Sequence, residues 1–166
     1  NKSKQEKQHI FTQLLIQKII PYWYGTKWDF NGTTQKPNQG AIACGYFVTT
    51  TLRDVGVPIN RIKMAQCASE EMIKSLVLAE NVQRFSNVAI TEFEKKLNEN
   101  GNAVYVIGLD NHTGFVQISD KGNYFIHSSG IYPYKVIKET LSEAKLIQYS
   151  KYRVVGNLTH DTTFLN

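Results

Sequence analysis

The sequence predicts an α+β domain, and three observations carry that reading. Up to residue 100, apolar residues recur at helical spacing in runs that end at proline or glycine. From residue 103 onward, β-branched and aromatic residues come in short runs separated by the turn signals "DN" and "DKGN". No internal repeat, low-complexity tract or linker interrupts the chain, so residues 1–166 read as a single domain.

The first helix is predicted over 5–20, where Ile10, Phe11, Leu14, Leu15, Ile16, Ile19 and Ile20 form one apolar stripe and Pro21 ends it. Residues 21–40, "PYWYGTKWDFNGTTQKPNQG", form an aromatic loop rich in glycine and asparagine. A second helix runs over 40–55, closed by Gly56 with Pro58 beyond it. A third covers 69–80. "TEFEKKLNENG" gives a fourth, with Thr91 and Glu94 as a capping box and Gly101 as the stop. Strands follow at 103–109, 113–119 and 123–129, and a last strand or pair of strands lies within 146–156.

Composition narrows the function classes. With 42% hydrophobic and 20% charged residues the chain is globular rather than disordered. The apolar run at 10–20 is too short and too polar to span a bilayer. The formal charge of +5 is scattered, with clusters only at Lys2/Lys4/Lys7 and Lys95/Lys96, so no basic stripe for nucleic acid is present. Two cysteines are no disulfide framework for a chain of this size, although one Cys44–Cys67 bridge is compatible with the sequence. The chain begins "NKSKQEKQ" without an initiator methionine, and we read this as the remainder after an export signal has been removed.

The chemistry centres on "QGAIACGYFVTTTLRDVG". Cys44 stands near a predicted helix start, with Gly40, Ala41 and Ala43 before it and Gly45 after it. A thiol attacks only as its thiolate, which a helix N-terminus and a histidine in hydrogen-bond reach both favour. Small neighbours leave room for a substrate and for backbone donors, Gly45 among them, to form an oxyanion hole. Of four histidines, His9 and His160 lie near the termini, His112 opens one predicted strand, and His127 lies late in the next. Taken singly, Cys44 reads as a small buried hydrophobe and each histidine as structural. Together they match the needs of a nucleophile, a base and a group that orients the base.

At these residues the chain resembles the NlpC-type cell-wall cysteine peptidases and amidases of the papain-like superfamily. "YWYGTKWDFNG" is similar to the aromatic-glycine loop before that family's nucleophile, and "IACGYFVTTTLRDVGVPI" to its nucleophile helix. "HTGFVQISDKGNYFIHSSG" is the closest match, to a His-Val-Gly strand, a turn and an Ile-His-Ala/Ser-Ser strand. The likeness covers roughly 22–60 and 103–132, and the intervening segment 61–100 matches nothing in the family's pattern. It departs at Ala43, where the family usually has Asp, at the bulky Tyr46 and Phe47, and at "GNAVYV" in place of a Gly-Asp.

The resemblance implies a papain-like arrangement, with N-terminal helices and the nucleophile helix packed on a C-terminal antiparallel sheet. It implies Cys44 as nucleophile, His112 as general base and His127 as the residue orienting it, with Tyr24, or its neighbours Tyr22 or Trp23, near the oxyanion. Trp23, Tyr24 and Trp28 become candidates to line the substrate cleft. The expected activity is hydrolysis of an amide bond in peptidoglycan peptides, in an extracytoplasmic location, without metal or cofactor. The loss of Asp at position 43 implies the same reaction on a different or narrower substrate. Two alternatives stand beside this: an inactive module that binds cell-wall fragments, and a papain-like acyltransferase, whose relatives place histidine before cysteine. Cys67 reads as a packing residue. Ser128 and Ser129 either bond to the imidazole network or decorate the strand end.

Overall fold

The computed structural model describes residues 1–166, and its centre is a six-stranded sheet. The strands are β1 (Val82–Ser86), β2 (Ala103–Gly108), β3 (Thr113–Ser119), β4 (Gly122–Ser128), β5 (Val136–Thr140) and β6 (Tyr152–Asn157). Across the sheet they run β1-β6-β2-β3-β4-β5, each antiparallel to its neighbour. The helices are α1 (Lys4–Thr12), α2 (Cys44–Asp54), α3 (Arg61–Ala65), α4 (Ser69–Leu76), α5 (Ile90–Glu99) and α6 (Lys145–Tyr149).

The period-2 alternation of the strands sends residues to two separate cores. Val104, Val106, Phe115, Ile126 and Val154 pack on the N-terminal helices through Leu15, Ile20, Phe47, Leu52 and Ile73. Tyr105, Ile107, Val116, Phe125 and Val155 pack on the other side against Phe93, Leu97, Leu141 and Ile147. The molecule is therefore three layers with the sheet in the middle. Burying one such side chain is worth about 2 kcal/mol, so β2 and β3, covered on both faces, form the firmest platform in the molecule.

Several elements differ from the sequence expectation. Pro21 does not stop the first helix. The chain widens to a π-helix over Gln13–Ile19 and tightens to a 3₁₀ turn over Ile20–Trp23, in whose first turn a residue without N–H is tolerated. The second helix starts at Cys44 rather than residue 40, because the preceding residues lie extended in bridges to the 27–33 loop. The fourth helix begins after Ala89, so Thr91 lies inside it and no capping box with Glu94 forms. Residues 145–149 are helical, and only Tyr152–Asn157 extends as a strand. Helix α3 and strands β1 and β5 have no counterpart in the sequence reading. No helix is long and apolar enough to cross a membrane.

The C-terminal segment is fastened by one carboxylate. Asp161 is fully buried and accepts hydrogen bonds from the amides of Leu78, Thr163 and Phe164, the Thr163 hydroxyl and the Asn81 side chain, at 2.6–2.9 Å. Burial pushes this carboxyl up, but those donors together outweigh it and hold it at about 2. The Phe164 ring then stands edge-on to Phe11 of α1, 5.1 Å between centroids. The stabilisation is complete above the ordinary carboxyl range and is lost as pH falls toward 2. Asp161→Ala is expected to cost roughly 2–3 kcal/mol by orphaning several donors, read as a lowered midpoint in urea unfolding at pH 7.

Candidate active site

Cys44 is the first residue of α2, and the chain leading to it is tightly held. Ala43 is extended at φ −76°, ψ 162°, and offers no side-chain cap to the first N–H groups of the helix. The Ile42 amide donates to Lys27 O and the Ala43 amide to Gly32 O, each at 2.9 Å. Gly32 is required there, since a Cβ would sit 2.6 Å from the backbone of Ala41 and Ile42. The Ser128 hydroxyl donates to Ile42 O at 2.7 Å and ties this segment to the end of β4. Buried Arg61 donates to Thr50 Oγ1 at 2.7 Å and Thr33 O at 2.6 Å, joining α3, α2 and the loop.

His112 sits at the start of β3 on an equally fixed turn. The Leu109 amide donates to His112 O at 2.8 Å. The Asp110 carboxylate accepts from the amides of Lys151 and Tyr152 at 2.9 and 3.2 Å. The ring then joins a row that runs from this turn across β4 to β5. His112 Nε2 lies 2.7 Å from His127 Nδ1, and His127 Nε2 lies 2.5 Å from Glu139 Oε2. The register explains the row: Ile137 pairs with His127 and Glu139 with Phe125, which makes Glu139 and His127 diagonal neighbours on one face. Pairing of Phe115 with Ile126 likewise sets Gly114 beside His127. A Cβ at Gly114 would lie 2.7 Å from both His127 Cβ and Phe125 Cε1, so glycine lets the rings approach. The buried His127 ring stacks on Phe125, 3.8 Å between centroids and 14° between planes.

Since the ionised Glu139 carboxylate only accepts, it draws the Nε2 proton of His127 toward itself. His127 Nδ1 is then an acceptor, His112 Nε2 a donor, and His112 Nδ1 the free acceptor. Burial pushes the Cys44 thiol up, against backbone hydrogen bonds from Thr113, Gly45 and Cys44 itself. Burial also pulls the His112 imidazolium down, with His127 beside it adding to the effect. His127 is lowered by burial as well, opposed by Glu139. The sequence expects a helix terminus to draw the thiol toward thiolate; the structure, with sulfur and ring both largely out of water, favours the neutral pair.

Two cavities flank this pair. One, about 440 Å³, is walled by Trp28, Phe30, Tyr46, Ala65, Ile131 and Leu146 among others. The other, about 290 Å³, is walled by Cys67, Ser69, Met72, Asp110 and Thr113. Cys44, Gly45, Asn111 and His112 belong to both, so sulfur and ring lie where the two meet. Close approach of α3 shapes the floor, since a Cβ at Gly45 would lie 2.8 Å from Ala65 O.

The structure thus brings Cys44, Gly45, His112, His127 and Trp28 to one place. Trp23 is not there: the 3₁₀ turn carries it into the core, 1% exposed and edge-on to Phe47. Tyr24 is half-buried against the same core and walls neither cavity. Cys44 and Cys67 are both free thiols, and Cys67 is an exposed part of the cleft wall rather than a packing residue. Ser128 holds the nucleophile segment, and the Ser129 hydroxyl donates to Ile131 O at 2.9 Å. His160 lies 3.2 Å from Asn102 O, away from the cleft. Glu139 is the residue that sequence reasoning missed, and its only local signal is an alternating "VIKET" one short loop after His127. Compared with family models, curated proteins and solved structures, the chain has no match.

Gly114→Ala is expected to force His127 away from His112 and to cost about 1–3 kcal/mol through overpacking. Thermal unfolding and the imidazole NMR signals of the two histidines check this.

Proposed function

We propose that the protein is a cysteine hydrolase of amide bonds, with Cys44 as nucleophile, His112 as general base and His127 as the residue that orients it. The observation that carries the reading is the placement of Cys44 and His112 at the junction of two cavities, with His112 backed by His127 and Glu139. The resemblance to NlpC-type peptidases, a papain-like arrangement included, makes peptidoglycan peptides the substrate and the extracytoplasmic space the setting of this proposal.

In this reading the thiol proton passes to His112 Nδ1 as sulfur adds to the substrate carbonyl. The uncapped amides at the start of α2, that of Gly45 included, stabilise the developing oxyanion. The imidazolium returns its proton to the leaving nitrogen as the C–N bond breaks, leaving a thioester on Cys44. Water, deprotonated at the same nitrogen, hydrolyses the thioester and restores the thiol. Glu139 acts as a positioning residue. It keeps both imidazoles in the productive tautomers, and its charge favours the transient imidazolium.

Digestion of purified muropeptides, with products read by mass spectrometry, tests the proposal. Wild type is expected to yield two fragments whose masses sum to substrate plus water, and Cys44→Ala none; equal digestion by both proteins sinks the proposal. Rate losses are expected in the order His112→Ala, roughly 10⁴-fold, His127→Ala, roughly 10²-fold, and Glu139→Gln, roughly tenfold in kcat at unchanged KM.

The active form has His112 neutral. With its pKa below the ordinary 6.5 and the thiol above the ordinary 9.0, kcat/KM is expected to stay flat between those limits. The acid limb of a pH profile is expected below pH 6.5, and Glu139→Gln, by removing the charge that favours imidazolium, is expected to displace it further toward acid.

A further inference from the structure

We infer that the groove selects a substrate whose group beside the scissile bond, on the Trp28 side, is bulky, apolar and uncharged. This rests on the thiol-hydrolase reading and narrows its substrate. The cavity of about 440 Å³ on that side has no Asp, Glu, Lys or Arg in its wall. Its polar side-chain groups beyond the reacting pair are all uncharged, on Gln66, Asn111, Tyr46 and Trp28. The other cavity contains one charged side chain, Asp110, and both of its oxygens already accept backbone hydrogen bonds. A carboxylate or ammonium brought to the Trp28 side would lose water without gaining a charged partner there.

The apolar wall is built before any ligand arrives. The Trp28 amide donates to Tyr134 O at 2.8 Å, and its ring packs 6.3 Å from that of Tyr134. The same ring lies close over Gly130, where a Cβ would meet it at 3.1 Å. Phe30 and Ile131 remain 80% and 37% exposed, so covering them with an apolar group removes hydrophobic surface from water. The volume suits an aromatic or branched aliphatic side chain with its flanking backbone. Charged stem-peptide groups fit this side poorly, which accords with Ala43 in place of a carboxylate at the nucleophile.

The test uses alanine hexapeptides carrying a single Phe, Leu, Glu or Lys, with the cleaved bond located by mass spectrometry. Phe and Leu peptides are expected to be cut next to the substituted residue with kcat/KM about tenfold or more above the Glu and Lys peptides. Ile131→Glu, at the partly exposed rim, is expected to reverse the order of the Phe and Lys peptides. Equal cleavage of all four by wild type, with none by Cys44→Ala, overturns this inference and leaves the hydrolase reading standing. Cleavage by Cys44→Ala at the wild-type rate overturns the hydrolase reading itself. Should no peptide be cut, calorimetry on Cys44→Ala decides: tighter binding of Phe than of Glu peptide supports the inference, and equal binding overturns it.

Discussion

The register of β3, β4 and β5 is the constraint from which the rest of the site follows. A slip of one residue in any of these pairings would turn His127 or Glu139 to the opposite face, because side chains alternate with period 2. Held in register, His127 on β4, Glu139 on β5 and His112, the residue just before β3, form one hydrogen-bonded row that ends at the cleft. The register in turn is fixed by burial on both faces. Phe115 and Ile126 face the N-terminal helices, while Val116 and Phe125 face α5 and α6. The same apolar contacts that stabilise the sheet therefore aim the imidazoles, and no flexible loop carries either ring.

Cys44 is placed by a different device. The residues leading to it make only isolated bridges and gain their position from partners elsewhere in the chain. Ser128 at the end of β4 holds Ile42 O, while Arg61 clamps the loop to α2. The Arg61 guanidinium also lies over the Tyr46 ring at 4.9 Å, so one side chain braces the loop, the helix and the cleft wall. Histidine row and nucleophile segment meet through the end of β4, where His127 and Ser128 point to opposite faces of the same strand. Adjacent residues thus contact the His112 ring on one side and the segment before Cys44 on the other.

Much of this was legible in the sequence, and what was not has physical reasons. Cys44, His112 and His127, which the structure brings to one place, stand in distinctive local contexts: small residues at a helix start, a glycine two positions after a histidine, and an aromatic and β-branched run ahead of the second histidine. The mixed α+β order was visible in the switch of hydrophobic period near residue 103. Glu139 was hidden because its role comes from pairing with β4, which "VIKET" alone does not announce. Helix α3 has only five residues, too few for periodicity to show, and β1, "VQRFS", is a polar strand at the sheet edge. Trp23 and Trp28 look alike in composition, and the change of helical pitch after Thr12 decides that one is core and the other cleft wall.

A sulfur kept neutral by its surroundings has a pharmacological side. Small, indiscriminate electrophiles meet a thiol that burial pushes toward its protonated form. On the proposed mechanism, an effective covalent inhibitor brings its own recognition, by filling the space beside Trp28 and presenting a carbonyl-like warhead to Cys44. Potency in such compounds would track the non-covalent fit of the scaffold more closely than the intrinsic reactivity of the warhead.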